Sequence, residues 1–373
     1  MGHGLFEITI NSIKLIVVFL IIVQAVPVLV WLERRGSAFI QNRLGPNRVG
    51  PLGLMQLLAD AVKFLFKEEF SPAKAVKFLY YAAPIVALVP ATLAFAAIPL
   101  GHPLQWDEYT FRIQGYEINV GIVFILAVSS LAAYSILMAG WGSGNKYALM
   151  GAMRASAQVI SYELALGLSI VGIILLYGTF NLSEMIQAQQ APLTYSFFGN
   201  SLTLPFLPSW GIFYQPLGAI VFFAAAFAES NRLPFDLAEG EAELVAGFHV
   251  EYGGFKMLLF FIGEYGHMMV SSALMVTFFF GGYLVPFMSM AELGQWATAH
   301  TDSANMASLL VSLLTTLSFF VKLAVFLWIF IQVRWTLPRF RYDQLMDLGW
   351  KTMLPWALAN TIITAAFIYA AHL

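Results

Sequence analysis

AESNRLPFDLAEGEAELVAGFHVEYGG, residues Ala228 to Gly254, lies between two strongly apolar segments. It carries six acids, Glu229, Asp236, Glu239, Glu241, Glu243 and Glu251, against one base, Arg232. Carboxylates beside membrane spans cost free energy, so a cluster of them there calls for a reason. One reading is a solvated acidic loop; the other is a functional acid array. The rest of the chain sets the context. Of its 373 residues 60% are hydrophobic and only 11% charged, whereas a soluble chain carries about 25% charged residues. This is the composition of an integral membrane protein. There is no cysteine, which excludes disulfides, thiolate zinc sites and cysteine-ligated iron–sulfur clusters within the chain. The apolar run Leu15–Leu32 is too long for a signal-peptide core and reads as a first span.

Working outward, apolar runs long enough to cross about 30 Å of hydrocarbon fall near 12–32, 80–100, 118–139, 156–177, 212–228, 257–287, 308–333 and 353–371. The expected fold is all-α: eight transmembrane helices in a single domain over 1–373, with an acidic loop at about 229–254. The span at 257–287 is overlong and is expected to tilt or to begin outside the bilayer. No inverted repeat or broken helix is evident. Residues 52–68, PLGLMQLLADAVKFLFK, are too short and polar to span. Gln56, Asp60, Lys63 and Lys67 form one helical stripe against Leu, Met, Val and Phe, as in a helix lying in the headgroup plane or packed on other subunits.

Sixteen of the nineteen bases fall in the loops after spans one, three, five and seven. The opposite side has Arg112, while Lys14 and Lys322 lie within spans. The positive-inside rule then puts the acidic loop in the cytoplasm and both termini outside.

Charges also occur at depth. Glu163 follows Arg154 by nine residues, about 14 Å of helix. Glu264 lies a similar distance past Lys256, Lys322 precedes Arg334 by about 18 Å, and Glu229 closes span five. All four are expected in the cytoplasmic half, facing one another, water or a polar cavity. A static Glu–Lys pair would account for Lys322 but not for the surplus of acids. Burial and like charge both favour the protonated carboxyl, so crowded acids can pass protons near neutral pH. Changing one charge about 8 Å away at an effective dielectric of 20 is worth roughly 2 kcal/mol, close to the about 2.3 kcal/mol needed to move a proton against 100 mV.

Four segments, the acidic stretch with RLGPNRVGPLGLMQLLADAVKFLFKE (Arg43–Glu68), YSILMAGWGSGNKYALMGAMRASAQVISYELALG (Tyr134–Gly167) and LPRFRYDQLMDLGWK (Leu337–Lys351), closely resemble the H-type membrane component of bacterial proton-pumping NADH-quinone oxidoreductase, respiratory complex I, and its mitochondrial counterpart. The resemblance covers essentially the whole chain. It implies a bundle at the junction with the peripheral arm that helps form a quinone chamber opening to lipid and begins a proton-coupling chain. By resemblance that chain comprises Glu163, Glu229, Asp236, Glu239, Glu241, Glu243, Glu251, Glu264 and Lys322. Arg34, Asp60 and Ala61 match the quinone entry, Arg43 and Arg232 are family arginines counted with them as quinone-chamber residues, and Arg154 matches a further family arginine. The substrate would be ubiquinone or menaquinone in the bacterial inner membrane. FMN and iron–sulfur clusters would sit only in partner subunits, the terminal [4Fe–4S] cluster in a hydrophilic neighbour. Other partners would be the small and antiporter-like membrane subunits and the lipid bilayer, with no nucleic acid. No covalently bound cofactor or metal is expected.

The residues themselves fit this. A quinone tail needs an apolar tunnel, which helix one, the interfacial helix and helix six can supply. Only His267 of six histidines is well inside a span, so a bis-histidine haem has no ligand pair, and an ordinary buried histidine competes with a proton relay there. The Gly-Pro run Arg43–Gly53 lacks a Gly-Lys-Ser/Thr ending and reads as a loop, not a phosphate site. Asp343 and Asp347 read as surface pairs. The alternatives are a membrane anchor of a membrane-bound hydrogenase or of a ferredoxin- or coenzyme-linked complex, and a free-standing transporter.

Overall fold

The computed structural model describes residues 2–107, 109–197, 200–236, 247–301 and 303–372. Among the described residues seven helices are long and apolar enough to cross a membrane, and Pro216–Glu229 adds a shorter apolar one. They make an all-α polytopic bundle. In chain order the elements are α1 (Gly2–Ile40), α2 (Gln56–Phe66), α3 (Lys77–Ala96), strands β1 (Leu104–Trp106) and β2 (Tyr109–Phe111), α4 (Gly121–Ser129), α5 (Leu131–Gly142), α6 (Lys146–Tyr177) and α7 (Leu182–Ala188). Then come β3 (Pro192–Phe197), β4 (Asn200–Pro208), a single turn α8 (Gly211–Tyr214), α9 (Pro216–Glu229), α10 (Gly254–Phe279), α11 (Met290–Ala299), α12 (Ala304–Thr336), α13 (Tyr342–Asp347) and α14 (Leu354–His372).

Local sequence explains most boundaries. Asn145 starts α6 and Asn181 starts α7, each accepting backbone N–H bonds on its side chain, and Ser289 with Glu292 forms a reciprocal cap on α11. Pro216 opens α9, where its missing N–H is not needed. Helix α6 begins ten residues before the span expected at 156–177, because the loop-like NKYALMGAMR is itself helical.

One expectation is corrected, and two details are added. The sixth span is not overlong: α10 ends at Phe279, and Gly281 and Gly282, both at positive φ, turn the chain away. The third span crosses as one 22-residue stretch, Gly121–Gly142, with a one-residue interruption at Ser130 between α4 and α5. There Ser129 and Ser130 hydroxyls bond back to the Leu126 carbonyl at 3.1 and 2.8 Å, which bends helices. Two antiparallel hairpins, β1–β2 and β3–β4, also fill loops at the base-poor end of the bundle.

The core runs through α1, α6, α9, α10 and α12. Phe227 stacks on Phe330 at 4.0 Å, with Phe223 edge-on to both, locking α9 to α12. A Cβ at Gly263 would meet the Ala87 carbonyl at 2.8 Å, so only glycine lets α10 lie this close to α3. Likewise Gly151 of α6 admits the backbone of Gly247, where the described part of the acidic loop resumes.

Candidate functional site

Two cavities meet at α10. The larger, about 530 Å³, lies between α1, the amphipathic α2 and α10. Its walls are mostly apolar, and Arg34, Asp60, Glu33 and Tyr265 supply polar groups. Arg34 pairs with Asp60 at 2.5 Å, and Gln56 holds the other Asp60 oxygen at 3.0 Å. Ala61 lines the same space. Arg43 stands exposed in the loop beyond α1, outside this lining.

Behind the chamber is an ion cluster. The Tyr265 hydroxyl donates to Glu33 Oε2 at 2.7 Å, Arg334 meets Glu33 Oε1 at 2.6 Å, and Arg232 lies 3.7 Å from Glu33 Oε2. The Arg232 guanidinium also covers the Tyr265 ring at 3.9 Å. Burial works against the Arg232 charge, but Tyr265, Glu33 and Glu264 outweigh it and hold the guanidinium above the usual arginine range. One buried glutamate thus joins α1, the start of the acidic loop, α10 and α12.

The second cavity, about 30 Å³, is lined by Glu229, Glu264, His267, Ser230, Asn231 and Ser135, with apolar neighbours from α3, α5 and α10. It is large enough for a water molecule. His267 is buried, and its Nε2 has no hydrogen-bond partner among the described residues. His249 Nε2 approaches Glu264 Oε1 at 3.7 Å. Successive helical residues point about 100° apart, so Tyr265 faces the chamber while Glu264 faces the acid cavity. Glu229 is within electrostatic range of Glu163 and of the Ser129 hydroxyl, while Ser130 donates to Glu163 Oε1. The helix interruption at Ser130 therefore lies beside both acids.

The structure thus brings Glu163, Glu229 and Glu264 together and sets Arg34, Asp60 and Ala61 around the adjoining chamber. Other expected residues stand apart. Asp236 is buried and accepts from Arg339 at 3.0 Å. Glu251 accepts from Asn145 at 2.7 Å, tying the loop's end to the start of α6. Glu239, Glu241 and Glu243 lie outside the described residues. Arg154 packs over the Tyr342 ring at 5.3 Å. Asp343 and Asp347 make surface pairs with Arg341 and Lys351.

Lys322 is the clear correction. Its ammonium donates to the carbonyls of Phe280, Gly282 and Leu284 at 2.8, 3.0 and 2.6 Å, beyond the C-terminal end of α10. Glu264 is sixteen residues earlier than Phe280, about 24 Å along α10. Lys322 therefore belongs to the base-poor half of the bundle, not to the acids' half. Glu33, Arg334, Tyr265 and His249 are site residues that sequence reasoning misses. A lone acid inside the basic WLERRG run is the signal for Glu33.

A polytopic helical protein with an apolar chamber under a surface helix, backed by buried acids, is the class these features define. A family model described as NADH dehydrogenase matches residues 13–365. The H subunit of NADH-quinone oxidoreductase from Bdellovibrio bacteriovorus is 70% identical over 383 residues, covering 100% of both chains. A corresponding H subunit from Cytophaga hutchinsonii is 45% identical over 90% of each chain, and one from Geobacter metallireducens 42% over 96% of each. The chain belongs to the NADH dehydrogenase family, in the group of H-type membrane subunits of NADH-quinone oxidoreductase.

Proposed function

We propose that this chain, within the assembled enzyme, forms part of the quinone chamber and passes the charge change of quinone reduction to a proton path. The carrying observation is that α10 presents Tyr265 to the 530 Å³ chamber and the next residue back, Glu264, to the cavity of Glu229 and His267. A quinone tail fits the apolar walls from α1, α2 and α10, entering past Arg34, Asp60 and Ala61. Reducing the headgroup takes two electrons and two protons. The chain has no cysteine to hold a cluster, so the electrons come from outside it; by resemblance their source is iron–sulfur clusters and flavin in partner subunits. By resemblance the loop acids Asp236, Glu239, Glu241, Glu243 and Glu251 belong to the same coupling chain.

Charge formed in the chamber acts first on the Glu33–Arg232–Arg334–Tyr265 cluster. Arg232 also interacts with Glu264, so a shift of its guanidinium changes the field at the acid cavity. At about 8 Å and an effective dielectric of 20 such a change is worth roughly 2 kcal/mol, enough to move a proton between Glu264, Glu229 and Glu163. His267 and a water in the cavity complete the hydrogen-bonded route. The base-rich end faces the cytoplasm of a bacterial inner membrane, with both termini periplasmic.

The test is proton pumping with NADH and quinone by the assembled enzyme in liposomes. Glu229→Gln and Glu163→Gln should leave assembly intact and lower coupled turnover by roughly tenfold, a modest share of what positioned proton-transfer groups contribute. Full pumping in both variants would end the reading.

A further inference from the structure

At the opposite end of the bundle is a separate cavity of about 610 Å³, between the start of α1 and the segment from β2 to Glu117. Lys14 and Arg112 both line it, with Asn11, Tyr109, Gln114 and Glu117. These two are notable because the base-poor side of the chain has so few cations to bring together. They lie within electrostatic range of each other. Glu117 pairs with Arg112, and among the described residues no carboxylate pairs with Lys14. The described lining therefore carries two cations against one acid.

Its depth matches a lipid headgroup. Lys14 precedes Arg34 by 20 residues on one helix, about 30 Å of rise, which is the thickness of the hydrocarbon core. With Arg34 at one boundary, Lys14 stands at the other. Beside it, Ile13, Ile16, Val17 and Leu20 are exposed along α1, an apolar flank on which acyl chains can lie. Tyr109 and Phe111 are exposed at the rim, as aromatic residues are at the membrane interface. The rim is fixed in place. Gln105 N–H donates to Ser308 at 2.8 Å, and Asp107 and Asn305 exchange bonds at 3.1 and 2.6 Å, pinning the β1–β2 hairpin to the start of α12.

We propose that this cavity binds the phosphate of an anionic phospholipid from that leaflet, held by Lys14 and Arg112 with the acyl chains along α1. The site is independent of the quinone reading, since neither cation touches the chamber or the acid cavity. The test uses the assembled enzyme in nanodiscs containing phosphatidylglycerol or phosphatidylcholine with the same photoreactive acyl chain, followed by peptide mapping. Phosphatidylglycerol should label residues 10–20 and 109–117 in preference to phosphatidylcholine. Labelling should fall about fivefold for each cation removed, as the attraction of a basic residue to an anionic membrane implies. Lys14→Arg should retain it, and NADH oxidation by quinone should be unchanged in Lys14→Gln/Arg112→Gln. If the double variant does not assemble, the Lys14→Gln and Lys14→Arg pair decides the matter. Equal labelling by the two lipids, or labelling that survives loss of both cations, would overturn the proposal. So would displacement of the lipid by inorganic phosphate, which would mean a free-anion site, or the absence of label because another component of the enzyme covers the cavity.

Discussion

The acid cavity and the Lys322 cage both keep charged groups inside an apolar bundle, yet they satisfy them differently. Lys322 has three donors and three backbone carbonyls to receive them, with the Trp210 ring 4.7 Å away. Each hydrogen is used, and nothing in the arrangement asks for exchange. Around Glu229 the balance is the reverse. Glu229, Glu264 and Glu163 crowd together with His249, His267 and serine hydroxyls near them. Saturated polar groups rigidify a fold, while a surplus of acceptors beside a water-sized space allows protons to redistribute. The Glu33 cluster is intermediate: its carboxylate is held by Tyr265 and Arg334, yet Arg232 Nε and Nη2 and Arg334 Nε have no hydrogen-bond partner among the described residues, and Arg232 is shared with the acids.

That contrast can be broken by substitution. The largest effect is expected for Arg232→Gln. It leaves the Glu33 carboxylate with one cation fewer in a buried site, and breaking a buried pair costs about 3–5 kcal/mol. The variant enzyme should lose thermal stability or fail to assemble; assembly with unchanged melting would show that Arg334 and Tyr265 suffice to hold Glu33.

Next is Lys322→Gln, which strips charge-assisted bonds from the turn after α10. It should lower the melting temperature of the complex, at a cost of about 1–3 kcal/mol, and leave the number of protons pumped per electron pair unaltered. A lower proton ratio at normal stability would put Lys322 back among the coupling groups.

Smaller effects belong to the chamber mouth. The Arg34–Asp60 pair is partly exposed, so Arg34→Ala should cost below about 1 kcal/mol of local order and appear as a shift of a few-fold in quinone KM or inhibitor sensitivity. Ala61→Phe fills part of the chamber and should raise KM for long-tailed quinones more than for short ones. Unchanged values in both variants would separate this cavity from quinone access.

The difference between the acids and Lys322 also marks what the sequence can convey. Distance along one helix is readable: Glu163 past Arg154 on α6 and Glu264 past Lys256 on α10 fall in the same part of the bundle, next to Glu229. Which neighbour a side chain meets is a tertiary fact. Counting from Arg334 along α12 alone sets Lys322 near the acids, whereas the turn at Gly281–Gly282 carries the carbonyls that claim it. Glu33 is hidden because its neighbours in sequence, Arg34 and Arg35, make WLERRG look like a basic span end. Its partners arrive from positions some 200 to 300 residues away, Arg232, Tyr265 and Arg334. The amphipathic stripe of α2, by contrast, is plain from spacing, and α2 forms one wall of the chamber. The hairpins escape notice because turn-rich, mixed-polarity loops carry weak strand signals next to long apolar runs.

The most direct measurement is the redox-induced infrared difference spectrum of the assembled enzyme as quinone is reduced, comparing wild type with Glu229→Gln and Lys322→Gln. The account predicts a protonated-carboxyl stretch that changes on reduction in wild type and in Lys322→Gln and is lost in Glu229→Gln. The same carboxyl signal persisting in Glu229→Gln would contradict it.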